Sequence, residues 1–187
     1  MNELSPIAAT TAPTRFSAAE FARMMASGAF EDMWVELVEG EIQRTPPPGN
    51  THRRSQVALL ARLLRLVPEA LVCGEVGIAA GQDSALACHA AVLTTEVLED
   101  GLVPADAVAL VIEIAVSTRD RDLGLKRRLY AAAAIPTCWV VDVERRVIHV
   151  FDRPERGDYM GLALVRFGEP LAVPGTDSGT DGAIVLE

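Results

Sequence analysis

The sequence predicts an α/β domain in which helices flank a mixed β-sheet. Segments with a helical spacing of apolar residues alternate along the chain with short apolar segments bounded by turn residues. One short segment, residues 108–116, is apolar except for Glu113, which is typical of a strand buried on both faces. A helical segment separates it from the next strand, so a crossover between parallel strands is expected.

Length and composition limit how the chain can be organised. Its 187 residues, 50% of them hydrophobic, suffice for one domain with a sizeable core but are few for two. Residues 1–15 and 175–187 are rich in small and polar residues without periodicity, so we expect a disordered N-terminal tail and a flexible C-terminal tail. The single domain then comprises residues 16–174.

Apolar runs, charge and cysteines argue against several classes of protein. No apolar run approaches the roughly 18 residues of a membrane-spanning helix, and the N-terminus lacks the features of a secretory signal, so we expect a cytoplasmic protein. The formal net charge of -9 counts against strong DNA binding, although arginines cluster within residues 53–65 and 119–128. Three cysteines without CxxC spacing indicate neither a disulfide framework nor a zinc site.

Capping and turn signals place the first elements. Ser17 is followed three residues later by Glu20, a capping box that predicts a helix over residues 17–27. Apolar residues on both sides of Gly40 predict a β-hairpin with its turn there. Three consecutive prolines predict a loop over residues 45–50.

Periodicity places the next helix and two strands. Residues 51–67 have the spacing of an amphipathic helix, ended by Pro68, whose predicted apolar face comprises Val57, Leu60, Leu63, Leu64 and Val67. His52, at its start, is interpreted either as a phosphate contact or as part of a solvated helix start. Residues 71–80 and 85–94 are short, apolar and partly β-branched, so we predict a strand in each.

The C-terminal half continues the alternation. Residues 120–133 form a second predicted helix, which ends before Pro136. Residues 138–141 and 147–151 flank a charged turn and predict a hairpin, and residues 159–167 predict an edge strand.

A buried carboxylate and a single lysine form the strongest candidate site. An ionised Glu113 in an apolar strand is costly unless a cation or hydrogen bonds compensate it. Lys126, the only lysine among 17 basic residues, lies four residues after Asp122 and four before Tyr130, so the three share one helix face. Packing of strand and helix is expected to bring its ammonium within about one side-chain length of Glu113. The alternative, a pair between Lys126 and Asp122 on a solvated face, stays open here.

Five segments in order resemble the signatures of a known family. They comprise residues 35–41, residues 46–48 with His52, residues 111–118, residues 122–130 and residues 135–142. The sequence resembles the Uma-type putative restriction endonuclease family of the PD-(D/E)XK nuclease superfamily over about residues 16–174. The resemblance implies a restriction-endonuclease-like core, a mixed β-sheet flanked by helices.

The resemblance also implies an activity and its residues. It implies a DNA endonuclease that hydrolyses phosphodiester bonds with Mg²⁺ or Mn²⁺ as cofactor and acts as a homodimer. Glu113 matches the metal-binding strand carboxylate, Lys126 the lysine that the family places on the following helix, and Glu36 a supporting acidic position. Glu36, Glu113 and Lys126 are therefore the candidate catalytic residues.

One position departs from the family pattern. Cys88-His89 stand where Pro-Asp is expected, so His89 becomes the second candidate metal ligand beside Glu113. Imidazole is a poor ligand for Mg²⁺ but suits Mn²⁺ or another transition metal. Two other interpretations stay open: that Asp83 is the true ligand, and that His89 is only a packed strand residue. A catalytically inactive module that binds nucleic acid or protein is thus the alternative function.

Overall fold

Helices and strands alternate along the described chain as the sequence predicts. The structure, a computed structural model, describes residues 13–174 and 183–187. The helices are α1 (Ala18–Ala26), α2 (Asn50–Leu63), α3 (Arg119–Arg121) and α4 (Arg127–Ala132), with a π-helical segment (Asp122–Lys126) between the last two. Two 3₁₀ turns, Glu69–Leu71 and Ala105–Ala107, complete the helical structure of these residues.

The strands form two larger sheets and a small one. They are β1 (Val35–Val38), β2 (Glu41–Arg44), β3 (Val72–Cys73), β4 (Val76–Ala79), β5 (Ala85–Cys88), β6 (Ala90–Leu93), β7 (Val103–Pro104), β8 (Val108–Ala115), β9 (Thr137–Asp142), β10 (Val147–Glu155), β11 (Asp158–Arg166), β12 (Leu171–Ala172) and β13 (Ala183–Ile184). The five-stranded sheet has the order β2-β1-β5-β4-β7, and the six-stranded sheet β11-β10-β9-β8-β6-β3. Strands β8 and β9 are parallel while the other pairs of the six-stranded sheet are antiparallel, so the prediction of a mixed sheet with a helical crossover is confirmed.

Local signals form the first elements where they were predicted. Ser17 and Glu20 make both bonds of the capping box at the start of α1. The turn between β1 and β2 has positive φ at Glu39 (48°) and Gly40 (83°), as the tightest hairpin turns require. Helix α1 and the first hairpin are confirmed.

In each of two segments that were predicted to form one strand, the chain forms two short strands that belong to different sheets. Residues 71–80 contain β3 of the six-stranded sheet and then β4 of the five-stranded sheet. Residues 85–94 contain β5 of the five-stranded sheet and then β6 of the six-stranded sheet. The single residue between β5 and β6 is His89. The prediction of one continuous strand in each segment was therefore wrong, because apolar composition does not show which partner strand each half of a segment pairs with.

Helix α2 turns a different face to the core from the one predicted. Its buried residues are His52, Leu59 and Leu63, whereas Val57 is 67% exposed and Leu64, just past the helix end, is 48% exposed. The prediction of the apolar face was therefore partly wrong, and so was the interpretation of His52 as part of a solvated helix start. Residues 52, 56, 59 and 63 lie three or four positions apart, so the buried stripe begins with a polar imidazole that hydrophobicity does not register.

Strand β8 lies between the two main clusters of the core. Val111 and Ala115 belong to the cluster under α4, whereas Ile112 and Ile114 belong to the cluster under α2. This strand is buried on both faces, as predicted. Glu113 is therefore located in the interior of the molecule and is fully buried.

The predicted tails fall mainly outside the described residues, since residues 1–12 and 175–182 lie outside them. At the C-terminal end, β13 pairs with β12, and Ile184 and Leu186 are buried. None of the helices within residues 13–174 and 183–187 is long and apolar enough to cross a membrane.

Candidate active site

Lys126 lies between two carboxylates at the centre of the candidate site. Its Nζ is 2.8 Å from Oε1 of Glu36 and 3.0 Å from Oε1 of Glu113, and it donates a 2.7 Å hydrogen bond to the carbonyl of Ala87. The predicted contact between Lys126 and Glu113 is present. With 4% of Lys126 exposed, the solvated pair with Asp122 was wrong. The three contacts match the three donors of an ammonium group.

The π-helical segment places Lys126 in the site. The N–H of Arg127 bonds to the carbonyl of Asp122, five residues earlier. This wider turn leaves Asp122, Lys126 and Tyr130 buried, as the predicted common face required. Tyr130 donates a 2.6 Å hydrogen bond to Oε1 of Glu113.

Glu36 reaches the site from β1. Its Oε1 accepts a 3.0 Å hydrogen bond from the N–H of Ala87 on the neighbouring strand β5. Its Oε2 lies 2.5 Å from the guanidinium of Arg121, at the start of the crossover. Glu36 lies on the five-stranded sheet and Glu113 on the six-stranded sheet. The contacts of both carboxylates with Lys126 therefore link the two sheets.

His89 completes the cluster from the junction of the two sheets. Its Nδ1 lies 2.5 Å from Oε2 of Glu113 and accepts a 3.0 Å hydrogen bond from the N–H of Ile114. Gln56 of α2 donates a 2.7 Å hydrogen bond to the His89 carbonyl, and the His52 ring packs edge-on against His89 at 4.1 Å between centroids. Oε2 of Glu113 receives no well-directed hydrogen bond despite the short approach of Nδ1.

Charge compensation sets the protonation of these groups. Burial alone would lower the pKa of Lys126, but Glu113 and Glu36 outweigh it and hold the pKa above its usual value. Burial alone would raise the pKa of Glu113, but Lys126 and His89 outweigh it and lower the pKa. Burial alone would lower the pKa of His89, and the Glu113 carboxylate reverses that direction. Glu113 and Lys126 are therefore both ionised around neutral pH.

Asp122 and His52 lie beside the cluster, and their pKa values are shifted towards the uncharged form of each side chain. Burial, followed by the charge of Glu113, raises the pKa of Asp122 to about 7, although Thr118 donates a 2.6 Å hydrogen bond to its carboxylate. Burial, followed by the charge of His89, lowers the pKa of His52 to about 4. Both ring nitrogens of His52 are buried without a hydrogen-bond partner.

A small cleft opens above the cluster. Its polar lining includes Glu36, His89, Arg121, Asp122 and Lys126, and its apolar lining includes Trp34, Pro46 and Pro48. The cleft has a volume of about 70 Å³ and is partly open to solvent.

The structure brings together all four predicted site residues and adds others. Glu36, His89, Glu113 and Lys126 meet in one cluster. Asp83 lies instead in the exposed turn between β4 and β5, outside the cleft lining, so the alternative ligand is not supported. Sequence reasoning missed Arg121 and the buried position of His52; a signal for the latter is the spacing of residues 52, 56, 59 and 63 on α2.

The donor atoms of the site do not suit the divalent cation that the resemblance implies. Mg²⁺ prefers several oxygen ligands in an octahedron, but the ammonium of Lys126 separates the carboxylates of Glu36 and Glu113. Within residues 13–174 and 183–187, no three His, Cys, Asp or Glu side chains are arranged to hold a metal ion. The residues do not fit Mg²⁺. The pair of His89 and Glu113, with its unbonded Oε2, is of the type that Mn²⁺ accepts, but it is incomplete.

The fold and the sequence are both similar to those of known proteins. The chain has a restriction-endonuclease-like α/β fold: it is similar to a crystal structure described as a "putative nuclease belonging to DUF820 from Anabaena variabilis ATCC 29413", with a TM-score of 0.61, 19% sequence identity, and coverage of 89% of this chain and 91% of that chain. Residues 18–180 match the Uma2 family, described as "Putative restriction endonuclease", and the chain belongs to this family. No curated protein matches the sequence.

Proposed function

We propose that the chain is a DNA endonuclease that hydrolyses phosphodiester bonds at the cleft above Lys126. The observation that carries the proposal is the buried ammonium held between Glu36 and Glu113 at the cleft floor. Desolvated carboxylates and an ammonium are costly in a core, and replacing them by apolar residues would often be neutral or stabilising. Their retention at the floor of a cleft, in a nuclease-like fold, supports a catalytic role.

The roles follow from the chemistry of the groups. Lys126 would stabilise the negative charge that develops on the phosphate, and Glu113 and Glu36 would hold that ammonium in place. Because all three donors of Lys126 are engaged, a phosphate oxygen has to displace one of their three acceptors, and the neutral carbonyl of Ala87 is the weakest of these. A divalent cation would add charge neutralisation of the phosphate, but it would need oxygen ligands beyond Glu113 and His89, from water or from the phosphate itself.

A second candidate is a catalytically inactive module that keeps the nuclease fold to bind nucleic acid or protein. Two observations favour it: Lys126 has no donor left for a substrate, and His89 stands where the family pattern has a carboxylate. The proposed partners are DNA and a second copy of the chain, and the proposed location is the cytoplasm.

Plasmid cleavage tests the first candidate against the second. Supercoiled plasmid is incubated with the purified protein and Mg²⁺, Mn²⁺ or EDTA, at low salt because phosphate contacts are salt-sensitive. We expect nicking with Mn²⁺ that exceeds nicking with Mg²⁺, and its loss in Glu113→Gln. Plasmid binding without nicking under all three conditions would support the inactive module instead.

Restoring a carboxylate at residue 89 tests the proposed ligand. His89→Asp supplies an oxygen ligand beside Glu113, so we expect at least tenfold tighter Mg²⁺ binding, measured by calorimetry, and increased Mg²⁺-dependent nicking. His89→Asn, which lacks the negative charge, is the matched control. Strong cleavage by the wild type with Mg²⁺ alone, unchanged in His89→Asp, would show that residue 89 is not the metal position.

A further inference from the structure

Strand β11 leaves one edge of the six-stranded sheet unpaired. Its nine residues, Asp158–Arg166, pair with β10 on one side only. Within residues 13–174 and 183–187, no strand pairs with the other side. An edge strand of this length offers a row of free backbone groups to any other strand.

The same strand carries an exposed apolar stripe. Met160, Leu162 and Leu164 are 63%, 60% and 59% exposed, and as alternate residues they project from one face of the strand. Natural edge strands are usually protected by charges, proline or a bulge, yet residues 159–165 contain no charge and no proline. A free edge and an apolar face on one strand are typical of a surface that a second strand covers.

We propose that β11 pairs antiparallel with β11 of a second copy of this chain, with the two-fold axis at Leu162. Leu162 then lies opposite Leu162 of the partner subunit, and Met160 lies opposite the partner's Leu164. The exposed apolar stripe is thereby matched with itself, as a two-fold interface requires. The two six-stranded sheets become one continuous sheet of twice that number.

Charge selects this register. With the axis at Leu162, Asp158 lies opposite the partner's Arg166, and the arrangement is repeated at the other end of the interface. The two oxygens of Asp158 accept bonds from Arg127 and from the N–H of Tyr159, each at 2.7 Å, and its side chain is still 41% exposed, so the carboxylate can also contact a second guanidinium. Moving the axis by one residue would place Asp158 opposite the partner's Leu164 and lose both charge pairs.

The interface is separate from the cleft. In the sheet order, β10 and β9 lie between β11 and the strand β8 that carries Glu113. The proposal therefore does not rest on the proposed nuclease activity. Strand-edge pairing buries an area at the small end of specific interfaces, so we expect dissociation in the micromolar range.

Light scattering over a concentration series tests the proposal. We expect the full-length wild type to approach the dimer mass at micromolar concentration. Leu162→Lys places two ammonium groups opposite each other at the axis and should weaken dimerisation by roughly tenfold or more. Leu98→Lys, at a residue that is 84% exposed and lies outside β11, is the matched control and should leave the dimer intact. Far-UV circular dichroism verifies that each variant is folded.

A cysteine at the axis provides a second test that does not depend on weakening the interface. Because residue 162 meets its own copy, Leu162→Cys should form an intermolecular disulfide on mild oxidation, whereas Leu98→Cys should not. A wild type that stays monomeric would overturn the proposal. So would a dimer that Leu162→Lys does not weaken, since another surface would then hold the copies together.

Discussion

A buried lysine controls the charge balance of the candidate site. The ammonium of Lys126 compensates two carboxylates that are almost fully removed from water, Glu36 at 2% and Glu113 at 0% exposure. In return, those carboxylates outweigh the desolvation of the ammonium. Loss of Lys126 takes this compensation from both carboxylates at once, so stability and the site depend on the same three residues.

Removing the ammonium is expected to be strongly destabilising. Lys126→Met keeps much of the side-chain volume but removes the ammonium that lies between Glu36 and Glu113, which should cost about 3–5 kcal/mol in the free energy of unfolding. Urea denaturation measures this loss. Arg128→Met, at an exposed position on α4, is the control and should change stability by no more than about 0.5 kcal/mol.

The double variant separates charge compensation from packing. In the double variant Lys126→Met with Glu113→Gln, one of the two carboxylates that lose the ammonium is replaced by a neutral amide. The combined loss in the free energy of unfolding should therefore be smaller than the sum of the two single losses. Strictly additive losses would mean that Lys126 and Glu113 are not energetically coupled.

At the scale of elements, the crossover between β8 and β9 positions most of the site. Its π-helical segment carries Asp122 and Lys126, and its start is held to the end of β9 by Arg119, whose Nε lies 2.8 Å from Asp142. Asp142 also accepts a 3.0 Å hydrogen bond from the N–H of Arg145 in the following turn. One carboxylate therefore joins the crossover, β9 and the β9–β10 turn.

Asp142 should make stability depend on pH in the acid range. Burial alone would raise the pKa of Asp142, but the hydrogen bonds from Arg145 and Arg119 outweigh it and lower the pKa. Since the unfolded chain then takes up a proton more readily, this contribution is complete above the unfolded pKa of about 3.8 and is lost as pH falls through the folded value. The free energy of unfolding should therefore fall on acidification, in part through Asp142.

Asp142→Asn tests that assignment. It should cost about 1.5–3 kcal/mol near neutral pH, because bonds to charged guanidinium groups are weakened. The difference from the wild type should shrink as pH falls below 4, as measured by urea denaturation at several pH values. A difference that is independent of pH would show that the ionised form of Asp142 is not the stabilising species.

The π-helical segment contains a glycine that its geometry does not require. A methyl group built on Gly124 meets no atom within 4 Å, and its φ lies outside the left-handed region. Gly124→Ala should therefore stabilise the protein by about 0.5–1 kcal/mol, by lowering the entropy of the unfolded chain. Thermal unfolding measures the change. A destabilisation would show that the native segment does not accommodate the methyl group.

At the scale of the whole molecule, charge opposes the proposed substrate. The net charge of -9 repels DNA, and the cleft itself is lined by Glu36, Glu75 and Asp122 against Arg121 and Lys126. Added divalent cation is therefore expected to favour the approach of a phosphate to this surface. The two tryptophans differ in exposure: Trp34 at the cleft is 42% exposed, whereas Trp139 is fully buried.

Tryptophan fluorescence can report DNA at the cleft. We expect an oligonucleotide to quench the emission of Trp34 with Mn²⁺ present and much less with EDTA, because bound cation offsets the repulsion. In Trp34→Phe the remaining signal comes from buried Trp139 and should not respond. Quenching that persists in Trp34→Phe, or that is equal with and without Mn²⁺, would contradict this picture.

Local sequence was sufficient for a substantial part of the fold and site. The capping box at Ser17, the hairpin turn at Gly40 and the spacing of Lys126 and Tyr130 are interactions within a few residues, so they can be recognised without knowledge of the rest of the chain. The contact between Glu113 and Lys126 also follows locally, because a strand packs on the helix after it. Glu36 and His89 entered only through the family resemblance, since nothing in their own segments marks them.

Tertiary structure alone decided the remainder. His89 lies at a change of sheets, His52 is buried on α2, and Arg121 reaches Glu36 across 85 positions of sequence. Each of these depends on which distant strand or helix pairs with a segment, and many pairings are compatible with the same apolar pattern. The physical reason is that hydrogen bonds within a turn are selected by neighbouring residues, whereas sheet partners and helix phase are selected by the packing of the complete core.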